Sequence, residues 1–180
     1  MLTKEKTYCS LSEANSHFAR TFSSACWSYL GKDERSADET AKMINLAHAS
    51  LLHWSEGKEC SPVNLQRGEF LVSIVYSFAE RGEPAYYHAK RCLDLTFSQR
   101  ESMMDFDIAY AYMAMARVLA LKGLDDGAKE YLSKMMAAAD QIGNNGDKQI
   151  FINDLGCRNW HNLTAVVEES INGYHHGKQI

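Results

Sequence analysis

The chain has 180 residues and a formal net charge of −4, and its length suits one domain with a sizeable core. Hydrophobic residues make up 46% and charged residues 23% of the sequence, a balance that excludes intrinsic disorder as the default state. The basic residues are scattered and no stretch approaches the roughly 18 apolar residues of a membrane span, so neither a nucleic-acid partner nor a membrane partner is expected.

Two capping boxes predict the first pair of helices. At Ser10 and at Ser36, the serine oxygen can accept a hydrogen bond from the third helical N–H, while a glutamate three residues later reaches back to the serine. Apolar residues at helical spacing follow each box and stop at a glycine, Gly31 in the first case and Gly57 in the second. We therefore expect a first helical hairpin over residues 11–56.

A second hairpin is predicted over residues 62–98. Pro62 follows a serine and suits the first helical position, where its missing N–H does no harm. Apolar residues then recur at helical spacing from Leu71 to Phe78, and the roughly 20 residues between the proline and Gly82 are too many for a typical strand. A fourth helix follows this glycine.

The third hairpin, over residues 105–142, has the clearest pattern, because small and large apolar side chains repeat at helical spacing on both sides of a glycine. The residues of this stripe are Tyr112, Met115, Ala116, Leu119, Gly123, Ala128, Tyr131, Leu132, Met135 and Ala139. Alanines at fixed positions let two helix backbones approach closely. We therefore expect Ala116 and Ala128 at the closest approach of the two helices.

A turn and a closing helix are predicted in the remainder of the chain. The turn is Gly143-Asn-Asn-Gly146, since both residue types tolerate positive φ. The helix should span residues 147–171, with a kink at Gly156, and residues 173–180 should form a flexible tail. Residues 1–172 are thus expected to be one domain.

The second and third hairpins repeat one pattern. At a constant offset of 41 residues, Leu71, Ile74, Val75, Phe78 and Gly82 map onto Tyr112, Met115, Ala116, Leu119 and Gly123. This pattern resembles the tetratricopeptide repeat, a helix–turn–helix unit of about 34 residues. His53-Trp54, Pro62-x-Asn64, His88-Ala89 and Asp105-Phe-Asp107 are together similar to uncharacterised bacterial proteins of this class, a similarity that implies no particular activity. The resemblance implies an all-α fold, a right-handed superhelical array of antiparallel hairpins with about seven helices.

The resemblance also implies a binding surface, because the first helices of successive tetratricopeptide-like repeats line a concave groove. The residues it places there are Glu69, Val72, Tyr76, Tyr110, Met113 and Arg117, with Arg67 and His88 as further candidates. Tyrosine, methionine and arginine combine a large contact area with a polar tip, so a peptide or protein segment is the expected partner. Alternatively, the two tyrosines pack against neighbouring helices and Arg117 pairs with an acid.

The sequence contains no phosphate loop, Gly-x-Ser-x-Gly or Cys/His signature, so we expect a non-enzymatic protein without a cofactor or a bound metal. A metal-dependent or other hydrolase would instead need His48, His53 or His88 to converge with an acid. His48 and His53 are five residues apart and so lie on different faces of their helix, whereas paired zinc ligands on a helix are four apart. A third alternative is a homodimeric structural protein, paired through the first two helices or the seventh.

The cysteines and the start of the sequence predict the compartment. Five cysteines, an odd number without any C-x-x-C spacing, are better explained as thiols in a reducing environment than as disulfides or zinc ligands. Residues 1–15 lack the apolar core of a signal peptide. Both observations predict a cytoplasmic protein.

Overall fold

Helices make up the regular structure of this protein in the computed structural model, which describes residues 9–156 and 160–176. The α-helices of these residues are α1 (Leu11–Leu30), α2 (Ala37–Glu56), α3 (Pro62–Phe78), α4 (Gly82–Ser98), α5 (Asp105–Leu121), α6 (Asp125–Asp140), α7 (Asn145–Gly156) and α8 (Thr164–His176). Short 3-10 turns at Arg100–Ser102 and His161–Leu163 lead into α5 and α8. Since the described residues contain no strand, the all-α prediction is confirmed. None of the helices in these ranges is both long and apolar enough to cross a bilayer.

The first three helices begin where the capping signals place them. Ser10 and Ser36 each build a complete capping box. The Ser61 hydroxyl accepts the backbone N–H of Asn64 at 3.1 Å, and Pro62 follows it in the first turn. Each cap satisfies N–H groups that have no partner within their own helix.

Three antiparallel hairpins, α1–α2, α3–α4 and α5–α6, form the body of the fold. Buried hydroxyl groups join the helices of the first two, because Ser50 Oγ donates to the Ala19 carbonyl at 2.8 Å and Ser73 Oγ donates to the Ala85 carbonyl at 3.0 Å. In the third hairpin, the alanines of the predicted stripe, Ala116, Ala128 and Ala139, are fully buried. Small side chains at these contacts let the helix backbones approach closely.

The odd-numbered helices α1, α3, α5 and α7 form one layer. α3 contacts α1 and α5, and α5 contacts α7, while α2 packs on α3 and α4 packs on α5. A continuous hydrophobic core runs from Cys26 on α1 to Val167 on α8. This layer carries the surface on which the candidate site lies.

The closing segment differs from the prediction, because residues 147–171 belong to two helices, which gives eight α-helices in the described residues rather than seven. The glycine predicted to kink a single helix is the last residue of α7. Side chains take the carbonyls of its last turn: the Trp160 indole N–H donates to Leu155 O at 2.9 Å, and Arg117 Nη2 donates to Asp154 O at 3.3 Å. A continuous helix would use these carbonyls for its own backbone hydrogen bonds.

The last helix ends later than predicted. α8 continues to His176, so the first residues of the predicted tail are helical. Tyr174 Oη donates to the Met136 carbonyl at 3.3 Å, which fixes the end of α8 against α6. The rest of the predicted tail, residues 177–180, lies outside the described residues.

Candidate functional site

An open groove crosses the layer of odd-numbered helices. It comprises a cavity of about 430 Å³ and a smaller one of about 140 Å³, which share Trp27, Phe70 and Asp154. We call this surface the inner groove, and its main lining residues are Trp27, Trp54, Arg67, Phe70, Ile74, Phe106, Asp107, Tyr110, Met113, Arg117, Ile150 and Asp154. The larger cavity lies within the range of about 300–1,000 Å³ that is typical of ligand pockets.

Aromatic and aliphatic side chains dominate the inner groove. Phe70 contacts Tyr110 edge to face with ring centroids 5.0 Å apart, and Phe106 contacts the same tyrosine at 6.2 Å. Trp27 on α1 and Ile150 on α7 line the same groove but remain 41% and 57% exposed. The groove therefore combines packed rings with apolar side chains that nothing in the described residues fully covers.

Arg67 is held in the inner groove by Asp107 on α5. Its Nε and Nη2 donate to the two carboxylate oxygens at 2.8 and 3.1 Å, and its guanidinium carbon lies 4.9 Å from the centroid of the Phe106 ring. Asp107 is 1% exposed, accepts the backbone N–H of Met104 and, through its carbonyl, a hydrogen bond from Gln66. This bidentate pair neutralises both charges and fixes α3 against the start of α5.

Asp154 on α7 brings a second carboxylate into the inner groove. Tyr110 Oη donates to its Oδ2 at 2.6 Å. Burial, and then the hydrogen bond to Asp154, raises the pKa of Tyr110 far above its usual range, so the phenol stays a neutral donor. None of the ion pairs among the described residues includes Asp154. Its negative charge therefore remains in the groove.

Arg117 and Met113 line the smaller cavity and are almost completely buried. Arg117 is 4% exposed, and its guanidinium carbon lies 3.9 Å from the centroid of the Trp160 ring. It donates to the carbonyls of Asp154 and Leu155 at 3.3 and 3.5 Å. Arg117 therefore clamps α5 to the end of α7.

Three of the predicted groove residues, Glu69, Tyr76 and His88, lie elsewhere, between α2, α3 and α4. Together with His48 and Arg91 they form a group that we call the polar cluster. Glu69 is 3% exposed and accepts hydrogen bonds from His88 Nδ1 and Arg91 Nε, both at 2.6 Å. His48 Nε2 and Tyr76 Oη are 2.9 Å apart. Glu69, Tyr76 and His88 thus connect helices to each other and do not line the inner groove.

The polar cluster favours the charged form of Glu69 and the neutral form of His48. Burial alone would raise the pKa of Glu69, but the hydrogen bonds from His88 and Arg91 outweigh it and hold the pKa below the usual 4.5. Burial, and then the charge of His88, lowers the pKa of His48 below 6.5. Glu69 also fixes the ring orientation of His88 through Nδ1, which leaves Nε2 outside that hydrogen bond.

Glu69, Val72 and Tyr76 do not line the inner groove because the predicted offset between the two repeats was wrong for this surface. On α3, the residues that line the inner groove are Arg67, Phe70 and Ile74. Their counterparts on α5 are, in the same order, Tyr110, Met113 and Arg117. Each pair is separated by 43 residues, whereas the repeat pattern gave 41. A difference of two residues turns a helix by about 200°, so Glu69 and Tyr76 lie on another face, and Val72 is fully buried in the core.

The three histidines considered for a hydrolase do not all converge. His48 and His88 have ring centroids 5.4 Å apart, beside Glu69. His53 is hydrogen-bonded through Nδ1 to Asn15 Oδ1 at 2.8 Å and packs against other aromatic rings of α1. In residues 9–156 and 160–176, no group of three or more His, Cys, Asp or Glu side chains is arranged to hold a metal ion.

Four of the main lining residues of the inner groove lie within the two repeats but were not predicted to line it: Phe70, Ile74, Phe106 and Asp107. Four others were not predicted either: Trp27, Trp54, Ile150 and Asp154. These residues lie on α1, α2 and α7, outside the two repeats that carried the pattern. The sequence did contain one indication of this surface: Ile150 is a large aliphatic residue that lies away from the apolar stripe of its own helix.

The four cysteines in the described residues add no further site. Cys26 is buried, and burial raises the pKa of its thiol to about 12. Burial also raises the pKa of the Cys92 thiol. Cys9 and Cys60 are exposed and not in a disulfide, and Cys157 lies outside the described residues.

The site offers two kinds of chemistry. The inner groove can bury apolar groups beside the Asp154 carboxylate, and the polar cluster holds a carboxylate–imidazole pair. No family model matches the sequence, and no curated protein or solved structure matches the chain.

Proposed function

We propose that this protein is a non-enzymatic cytoplasmic module that binds a peptide or protein segment in the inner groove, on a right-handed, tetratricopeptide-like stack of hairpins. The observation that carries the proposal is an open groove with aromatic walls over the odd-numbered helices. Stacked helical repeats use extended surfaces of this kind to hold their ligands.

The exposure of Trp27 and Ile150 supports a ligand at this place. Both side chains are apolar and both line the inner groove while partly exposed. Complete burial of a large apolar side chain contributes roughly 1.5–3 kcal/mol, and aromatic anchors dominate the binding energy of many interfaces. A segment that covers these two residues would gain part of that free energy.

The groove is also held rigid before any ligand arrives. The Arg67–Asp107 pair fixes α3 to α5, and Arg117 and Tyr110 fix α5 to α7. A rigid surface loses little conformational entropy on binding, so more of the contact energy remains as affinity. This preorganisation suits recognition of a short segment.

Site-directed photo-crosslinking tests the proposal. A photoreactive amino acid at Ser23, inside the groove, should capture a defined segment from an extract of cells that naturally produce the protein. The same group at Ser133, an exposed position on α6, is the matched control and should not capture it. Trp27→Ala should reduce capture at Ser23. Equal capture at both positions, or capture at Ser23 that Trp27→Ala does not reduce, would refute the proposal that the ligand binds in the inner groove. Capture of a second copy of this chain would favour the homodimeric alternative.

A hydrolase is the second candidate, favoured by the pairing of His88 Nδ1 with the buried Glu69 carboxylate, since carboxylates orient imidazole bases in this way. Hydrolysis of p-nitrophenyl acetate should then disappear in His88→Gln and persist in His53→Gln, a control that also removes one histidine. Equal rates in wild type and both variants would exclude a role for the polar cluster in ester hydrolysis.

A further inference from the structure

We infer that the segment bound in the inner groove carries one basic side chain between apolar ones, with its cationic group paired to Asp154. This inference rests on the proposed function and specifies the chemistry of the ligand. Asp154 lines both cavities of the groove, and so do Trp27 and Phe70. A cation at Asp154 would therefore have apolar surface on both sides of it.

The charges of the groove favour this chemistry. Asp107 is neutralised by Arg67 through two hydrogen bonds, whereas the side-chain partner of Asp154 is the neutral hydroxyl of Tyr110. Arg117 directs its Nη2 to the backbone carbonyl of Asp154 and lies buried under Trp160. The charge that a ligand would meet in the larger cavity is therefore the Asp154 carboxylate.

The position of Asp154 on its helix strengthens the demand for a cation. It lies in the last turn of α7 (Asn145–Gly156), where the negative end of the helix dipole disfavours a carboxylate. Tyr110 occupies Oδ2, and Oδ1 makes no hydrogen bond to the described residues. A basic group at Oδ1 would offset the dipole.

The same arrangement would reject other segments. A wholly apolar segment would remove water from Asp154 and leave its charge without a partner, which is costly in a desolvated site. An acidic segment would add direct repulsion. The selectivity therefore comes from the penalty on the wrong ligand as much as from the attraction of the right one.

Selection from a random phage-displayed peptide library tests the inference. The wild-type protein should enrich peptides with Lys or Arg flanked by aromatic or aliphatic residues. Asp154→Asn, which keeps an acceptor for Tyr110, should enrich apolar peptides without the basic residue. Asp126→Asn, which removes an exposed carboxylate on α6, is the matched control and should select as the wild type does.

Fluorescence polarisation with the best enriched peptide then measures the pairing. Replacing its basic residue by norleucine should weaken binding to the wild type about tenfold or more and leave binding to Asp154→Asn unchanged, as a double-mutant cycle requires. Apolar enrichment without a basic preference would overturn this inference and leave the proposed function standing. Absence of enrichment, or the same peptides selected by Trp27→Ala, would overturn both.

Discussion

Glu69→Gln should destabilise the protein although Glu69 lies outside the inner groove. Glutamine keeps the size of the side chain, but it loses the negative charge and replaces one acceptor oxygen with a donor amide. In the wild type, the two oxygens of Glu69 accept from His88 Nδ1 and Arg91 Nε, each at 2.6 Å. The amide N–H of the variant therefore either faces the Arg91 Nε donor or forces the imidazole of His88 into its other tautomer.

The magnitude follows from the burial of the partners. A hydrogen bond to a charged group contributes roughly 1.5–3 kcal/mol, and breaking a fully buried ion pair costs about 3–5 kcal/mol. The side chain of Arg91 is 51% exposed and can turn towards water, whereas that of His88 is 12% exposed and has less freedom. We therefore expect a loss of about 2–3 kcal/mol in the free energy of unfolding, most of it from His88.

Urea unfolding at neutral pH measures this loss, with Glu130→Gln as the matched control. Glu130 pairs with Lys134 one turn along α6 and is exposed, so its removal should leave the unfolding midpoint unchanged. The pKa of Glu69 is lower in the folded protein than its usual 4.5, so its stabilising effect is present above pH 4.5 and is lost as the pH falls through the folded pKa. The difference between wild type and Glu69→Gln should close over that acidic range. Equal midpoints for Glu69→Gln and Glu130→Gln at neutral pH would refute the reasoning.

Three further predictions concern the packing of the core, the hydrogen bond between Tyr110 and α7, and the pH dependence of stability. Ala116→Leu and Ala128→Leu each add a large side chain at a fully buried position of the α5–α6 hairpin and should cost about 1–3 kcal/mol, and an unchanged Tm in both would show that these positions do not limit the packing. Tyr110→Phe removes the hydrogen bond to Asp154, so amide hydrogens of α7 should exchange faster while those of α4 keep the wild-type rate. His48 has a lowered pKa in the folded protein, so the unfolded chain takes up this proton first and stability falls as the pH drops below 6.5. His48→Gln should reduce that fall in Tm, and an identical pH profile in both proteins would contradict the assignment.

The helices could be predicted from the sequence because their signals are local. A capping box such as that at Ser10 depends on residues three positions apart, and the stripe through Ala116 is contained in one hairpin. The end of α7 has no such local signal. Trp160 and Arg117 take the last carbonyls of that helix, and Arg117 is 37 residues away from Asp154 in the chain. Trp160 is only five residues past Leu155, but a tryptophan is not by itself a helix-end signal, so the sequence near Gly156 does not distinguish a kink from a helix end.

The groove faces of α3 and α5 were inferred from the repeat pattern, because both helices are buried on most of their circumference. On α3, residues buried in the fold point in every direction, from Gln66 and Glu69 to Val72 and Ser73, because α1, α2, α4 and α5 surround this helix. A helix that is buried on most of its circumference has no one-sided apolar stripe to define its orientation. The repeat offset alone therefore determined which face of α3 was predicted to line the inner groove. Because this offset was wrong by two residues, the prediction selected residues of the polar cluster.

Asp107 and Asp154 illustrate why the chemistry of the groove was beyond the sequence. Both are aspartates on helices that line the same surface, but their roles depend on distant partners. Asp107 lies in the first turn of α5, where the helix dipole favours it and Arg67 neutralises it. Asp154 lies in the last turn of α7 with a phenol as its side-chain partner. The charge of Asp107 is therefore neutralised within the fold, whereas the charge of Asp154 would be neutralised by a basic ligand.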